Sequence, residues 1–319
     1  MNEPHKKTAQ TRFATGLILA IVGSIAFSGK AIIVKLAYRY GVDAVTLIMY
    51  RMLFALPIFA VMAWWSSREK EGLTRNDWLG ILGLGFTGYY LASFLDFAGL
   101  AYISAALERL ILYLNPTLVL ILGWLLYKKK MSARQISAMA LSYAGILLVF
   151  GHELKFDVGV GGLASSNTVL GVALVFGSAV SYAIYLSYSG EMVKRLGSLR
   201  LVGLATTVAC LLCIGQFAVL RPLSAMSVAP QVIWLSLLNA TLCTALPVLA
   251  VMMAIERIGA PLAAQTGMIG PMSTILMGVF ILGEPLNVWI IAGTLLVLAG
   301  VYMVSRSRPL AAPKTDDSN

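Results

Sequence analysis

The stretch Ile103–Val149, ISAALERLILYLNPTLVLILGWLLYKKKMSARQISAMALSYAGILLV, returns later in the chain as Ile258–Val304, IGAPLAAQTGMIGPMSTILMGVFILGEPLNVWIIAGTLLVLAGVYMV. A shift of 155 residues brings Ile103 onto Ile258, Ala105 onto Ala260, Pro116 onto Pro271, Gly123 onto Gly278, Ile136 onto Ile291, Leu141 onto Leu296 and Ala144-Gly145 onto Ala299-Gly300, with no gap. Most of these matches are Pro, Gly or Ala, residues that set kinks and let backbones approach closely, so they carry more weight than chance pairs of Leu. Gly16 meets Gly171 at the same shift, and Trp78-Leu79 meets Trp234-Leu235 at a shift one larger. The chain therefore reads as a duplicated unit: residues 1–11 lead in, 12–151 form one copy, 152–166 a linker, 167–307 the second copy and 308–319 a polar tail.

With 59% hydrophobic and 12% charged residues and a mean hydropathy of +0.84, the chain is far too apolar for a soluble domain, where about a quarter of residues are charged. It reads as an all-α polytopic membrane protein. The net charge of +10 does not point to nucleic acid, because the Lys and Arg fall in short clusters between apolar runs instead of along one basic face. The first apolar run resembles a secretory signal, but it extends past Lys30 and further spans follow, so it is expected to stay as a first helix.

Apolar runs long enough to cross a bilayer as helix fall at about 14–37, 43–64, 78–102, 104–127, 134–151, 168–190, 199–220, 231–255, 260–282 and 287–306, ten spans with five in each copy. Pro116, Pro247 and Pro271 lie inside spans and are expected to kink them. The connections near Ser104, Gly259 and Glu284 are short enough to force antiparallel hairpins. With both termini cytoplasmic, seventeen Lys and Arg lie in cytoplasmic segments, among them Lys128, Lys129, Lys130, Lys194 and Arg195, against Arg39, Lys155 and Arg221 outside. That asymmetry is the positive-inside signal. Five spans per copy then make the second copy enter the membrane from the opposite side, the inverted duplication of secondary transporters, whose site lies between the copies near the midplane.

Two features have bland readings. The glycines of the 152–166 linker follow no strand and precede no Walker Lys, so they form no phosphate cradle. Cys210 and Cys213 sit one helical turn apart in an apolar run without His or further Cys nearby, which marks apolar filler rather than a metal site. No cofactor and no metal are implied, and no ATP-binding motif is present, so any energy must come from gradients.

A charge inside a span costs about 2.5 to 3.5 kcal/mol at the bilayer centre, so Lys30, Arg51, Asp96, Glu108 and Arg109 each need a reason to be there. All five fall in the outer half of the membrane. In one reading the cations pair with Asp96 and Glu108. In the other they line a cavity where Arg51 or Lys30 receives the anionic group of a substrate. Three cations against two carboxylates leave one positive charge over. Glu108 and Arg109 are neighbours and point about 100° apart, with Arg109 expected to snorkel to the outer interface. Asp96 and Glu108 are the proton-coupling candidates.

The second copy supplies Ser178, Ser181, Tyr182, Tyr185 and Ser189 as a stripe on the sixth span, Asn239, Thr241 and Thr244 on the eighth, and Gln265 and Thr266 on the ninth. Each set serves either as interhelical hydrogen bonding or as a binding wall. Glu256 and Glu284 fall at span ends and read as junction residues, and His5 and His152 lie outside the spans and read as bland rather than catalytic.

Ten spans in two copies, with Pro116, Gly123 and Ala144-Gly145 answered by Pro271, Gly278 and Ala299-Gly300, and with the junction Gly283-Glu284-Pro285-Leu286, resemble the EamA family of the drug/metabolite transporter superfamily over about residues 12 to 307. The resemblance implies a carrier in the bacterial inner membrane that moves small metabolites such as amino acids or organic acids, often outward, with the lipid bilayer as its surroundings. The first copy departs from the motif, with Lys128-Lys129 where the second has Gly283-Glu284. Against an intramembrane enzyme acting on lipid-linked substrates stands the lack of His in any span. A receptor that binds a metabolite without moving it remains a separate reading.

Overall fold

A computed structural model describes residues 3–68, 70–128, 131–158, 164–258 and 269–305. Among them there is no strand: every long element is a helix, the form that satisfies backbone N–H and C=O groups within one segment when no water is available. In chain order these are α1 (Glu3–Tyr38), α2 (Ala44–Ser67), α3 (Arg75–Leu100), α4 (Ala105–Leu126), α5 (Ala133–Val158), α6 (Ala164–Leu196) and α7 (Ser198–Leu220). Helix α8 starts at Pro230–Ala240 and continues as Leu246–Ile258. It is followed by α9 (Ile269–Leu282) and α10 (Val288–Ser305). Eight of these are long and apolar enough to cross a membrane, and α9 and α10 are shorter apolar helices.

Polar residues mark where helices begin. Asp43 accepts from the N–H groups of Val45 and Thr46 to start α2, Thr74 and Asp77 form a reciprocal capping box on α3, Ser104 accepts from Leu107 N–H on α4, and Asn287 accepts from Ile290 N–H on α10. Each satisfies an end group that the helix itself leaves open. α5 and α6 run beyond their apolar stretches, to Val158 and back to Ala164, so most of the expected 152–166 linker is helical. Residues 159–163 and the 308–319 tail lie outside the described residues, as does the connection near Gly259.

Helix contacts pair off across the duplication. α5 packs on α10 and α2 on α7. α1 packs on α8 and α9, as α6 packs on α3 and α4. The repeat of 155 residues accounts for this atom by atom. A Cβ on Gly145 would lie 2.6 Å from Gly293 O, and a Cβ on Gly300, 155 residues after Gly145, would lie 2.5 Å from the O of Ala138, 155 before Gly293. These positions must lack a side chain because the two backbones touch there. The two largest apolar cores are built, one mainly from α1, α2, α3, α7 and α8, the other from α4, α5, α6, α9 and α10.

Two wide turns interrupt α3 and α8 at related places. Gly85–Leu91 in α3 and Thr241–Ala245 in α8 are π-helical, the usual form of a residue inserted into a helix whose ends stay in register. Ile103 follows Trp78 by 25 residues and Ile258 follows Trp234 by 24, and the copy with the extra residue has the longer π segment. Pro247 comes two residues after the α8 π turn. Pro116 starts the second part of α4 after a turn at Tyr113–Leu114, and Pro271 lies in the first turn of Ile269–Met277. Pro57 also lies inside a helix, α2.

Candidate functional site

The five intramembrane charges of the first copy converge between the two cores. Lys30 on α1 is 7% exposed, Arg51 on α2 6%, Asp96 on α3 2%, and Glu108 and Arg109 on α4 0% and 5%. Burial this deep obliges a charge to find partners. Lys30 Nζ donates to Asp96 Oδ2 at 2.5 Å and lies 3.3 Å from Glu108 Oε1, near enough for an ion pair but not aligned as a hydrogen bond. One ammonium is therefore shared by two carboxylates, and Asp96 Oδ1 has no hydrogen-bond partner.

Arg109 does not snorkel. It stays inside, where Nη2 donates to Ser28 Oγ at 3.1 Å and the guanidinium lies 5.1 Å from the Phe27 ring and 5.5 Å from that of Tyr113. A Cβ on Gly270 would come within 2.8 Å of Arg109 Nη2, so the glycine before Pro271 leaves the niche that holds this guanidinium. Spacing along one helix could not reveal a niche made by two others.

Arg51 faces the second copy. Its Nε and Nη2 donate to Thr244 Oγ1 at 3.2 and 3.1 Å, and its guanidinium lies 5.1 Å from the Phe97 ring. Thr244 in turn donates to Asn239 O at 2.9 Å, five residues back, a reach that the α8 π turn provides. Arg51 Nη1 and Asn239 Oδ1 are buried without a hydrogen-bond partner, and no ion pair to Arg51 is found among the described residues. Cys210, Cys213 and Cys243 lie around this guanidinium. Cys210 and Cys213 are fully buried in the core as apolar packing, and no group of metal-ligating side chains occurs among the described residues.

The tyrosine stripe lies elsewhere, against α3. Tyr185 OH is 3.2 Å from Tyr89 OH and its ring stacks on Tyr182, while Ser178 and Ser181 donate to Ala92 O and Thr87 O. The repeat relates the two places: Lys30, Arg51 and Thr244 correspond, at the shift of 155, to Tyr185, Thr206 and Tyr89. The charged cluster and the tyrosine cluster are thus the same part of the fold in opposite copies. Gln265 and Thr266 lie outside the described residues, as does the side chain of Glu256.

Glu284, read from sequence as a junction residue, does more. Gly283 takes a left-handed turn (φ 73°), Glu284 folds back over Gly278, and Oε1 accepts from Ala105 N–H at 3.0 Å with Lys35 Nζ at 3.5 Å. His152 sits near the same end, with Nδ1 3.4 Å from Asn287 Nδ2.

A helical bundle with apolar side chains exposed all around it, and a sealed cluster of charges where two duplicated halves meet, defines a multi-pass membrane protein of the transporter kind. The chain belongs to the EamA-like transporter family, which matches residues 14–151 and again residues 169–306. It is 30% identical over 296 residues to the "Uncharacterized transporter YcbK" of Bacillus subtilis (strain 168), covering 91% of each chain. It is 23% identical over 91% of its length to an "Uncharacterized transporter" of Archaeoglobus fulgidus, covering 97% of that protein. A solved crystal structure shares the fold at a TM-score of 0.62 and 13% identity, over 91% of this chain and 98% of that one.

Proposed function

We propose that the chain is a secondary carrier of small metabolites, with ten spans in two inverted five-helix copies, 12–151 and 167–307, working by alternating access and exporting an amino acid or organic acid across a bacterial inner membrane with both termini in the cytoplasm. The pairing of helix contacts supports the inversion, since α1 ends where α6 begins. The positive-inside bias of the loops supports the orientation, with the 101–104 and 283–287 connections outside.

One observation carries the assignment of the substrate site. Two carboxylates take up Lys30, while each arginine meets one hydroxyl and keeps one buried nitrogen unbonded, Nε in Arg109 and Nη1 in Arg51; of the two, Arg51 is the one held by the second copy, where its unbonded Nη1 is accompanied by the unbonded Asn239 Oδ1 of the same helix as Thr244. That donor and acceptor, contributed by opposite copies, make Arg51 the cation for the anionic group of a substrate, with Asn239 Oδ1 as the acceptor for a donor on the same molecule. Tyr182 and Tyr185 line the pathway on the opposite side of the membrane, and Lys30 with Asp96 and Glu108 is the proton-linked group, because a proton on either carboxylate changes which oxygen holds the ammonium.

The test is counterflow in proteoliposomes with labelled amino acids and organic acids. A charge-assisted contact of about 1.5 to 3 kcal/mol predicts that Arg51→Ala weakens apparent affinity roughly ten- to hundredfold in a protein that still melts cooperatively. Unchanged affinity would remove Arg51 from the site, and binding without flux under any gradient would replace the carrier with a receptor.

A further inference from the structure

Three segments that each contribute a charge to the buried cluster or its rim are tied together just beyond it. Lys35 lies five residues after Lys30 on α1, Ile103 and Ala105 bracket the hairpin between Asp96 and Glu108, and Glu284 belongs to the α9–α10 connection. Lys35 Nζ donates to Ile103 O at 2.6 Å and lies 3.5 Å from Glu284 Oε1, and that oxygen accepts from Ala105 N–H at 3.0 Å. A carboxylate at the first turn of α4 also meets the positive end of that helix. Tyr38 OH donating to Phe97 O at 2.5 Å and Arg39 Nη2 donating to Leu282 O at 2.7 Å add two further ties between the same segments at this end of α1.

At the shift of 155, the backbone partners Ile103 and Ala105 recur as Ile258 and Ala260, but Lys35 becomes Gly190 and Glu284 becomes Lys129. The related positions in the other copy, Gly190 and Lys129, therefore hold no opposite-charge pair. Two identical inverted copies would make the two access states equal in energy, so a preference between them must come from positions where the copies differ.

We propose that Lys35 and Glu284 form a latch across the outer mouth, present in one copy alone, that biases the carrier toward the state closed to the outside. The proposal rests on the orientation and the alternating access inferred above. It also accounts for the Gly283-Glu284 pair of the second copy, since Gly283 turns the chain so that Glu284 reaches back to α4.

Cys243 lies beside Arg51 and against Gly29, next to Lys30, and serves as the reporter in a chain whose core cysteines, Cys210 and Cys213, are replaced by Ala. The experiment measures its modification by a membrane-impermeant methanethiosulfonate, added to either face of proteoliposomes holding the full chain with the wild-type latch, Glu284→Gln, Lys35→Met and Lys35→Arg. Glu284→Gln keeps an oxygen for Ala105 N–H and removes the charge. A partly buried ion pair of this kind predicts about a three- to tenfold faster modification from the outer face in Glu284→Gln and Lys35→Met, with Lys35→Arg at the wild-type rate. Equal rates in all four proteins would overturn the latch while leaving Arg51-dependent counterflow intact. Loss of a variant's cooperative melting marks unfolding, and Lys35→Arg against Lys35→Met then decides the matter. Faster modification from the face that bears the termini would overturn the proposal together with the orientation it rests on, and an absence of counterflow in wild type would overturn the carrier reading by itself.

Discussion

Lys30→Met takes away the ammonium that Asp96 and Glu108 share and puts an apolar chain of similar length in its place. The Asp96 and Glu108 carboxyl groups are almost fully buried, and apart from the Lys30 contact Asp96 Oδ1 and both Glu108 oxygens have no hydrogen-bond partner. Removing one member of a buried ion pair costs about 3 to 5 kcal/mol, because the partner's charge is left uncompensated. At roughly 2 °C per kcal/mol for a chain of this size, the variant should melt some 6 to 10 °C below wild type. The combined variant Lys30→Met, Asp96→Asn, Glu108→Gln should behave differently. With the ammonium and both carboxylates neutralised together, no member of the Lys30 ion pairs is left uncompensated, and the variant should recover most of that loss, since a neutral replacement of a buried ionic group is often close to neutral in stability. Scanning fluorimetry and circular dichroism melts in one detergent, at one pH, provide both numbers. If Lys30→Met melts within about 2 °C of wild type, or the triple variant melts below the single one, the cluster is not a mutually dependent ionic group.

Lys128 is the one non-glycine residue with positive φ (50°) among those described, and it occupies the place that Gly283 (φ 73°) holds in the second copy. Lys128→Gly should relieve a left-handed backbone worth about 1 kcal/mol and raise the melting temperature by roughly 2 °C, and a lower melting temperature would refute the strain. Asp43 at the start of α2 is partly buried, which by itself raises a carboxyl, but the Thr46 hydroxyl and N–H and the Arg221 guanidinium outweigh that and hold it below its usual range. A carboxyl held low stabilises the fold above its unfolded value of about 3.9, and that contribution fades as pH falls through the lower folded value. Melts of wild type and Asp43→Asn from pH 6 to 3 should therefore converge at the acid end, and a constant gap would refute the assignment.

The repeat, the apolar spans and the five buried charges could all be read from residues 12 to 307, because each is a property of one residue type at one spacing. The partners could not. Whether Lys30 meets one carboxylate or two depends on how α1, α3 and α4 cross, and Arg109 was expected at the interface because nothing on its own helix announces Ser28 and Gly270. Glu284 looked like a junction residue since its carboxylate returns to a backbone N–H 179 residues earlier in the chain, a contact without a side-chain signature. The π turns had left a trace, the one-residue difference between the Trp78–Ile103 and Trp234–Ile258 intervals. Its meaning depends on both helix ends staying in register, which the sequence does not state.

The crossing of α5 and α10, where glycine leaves backbone against backbone at two levels, has a mechanical consequence. Contacts that close have no side chains to rearrange, so this pair resists sliding and bending, whereas the π turns of α3 and α8 are weak points in otherwise regular rods. The bundle has a stiff axle at one side and two jointed levers at the other, and Arg51 and Tyr185 each grip one of those joints.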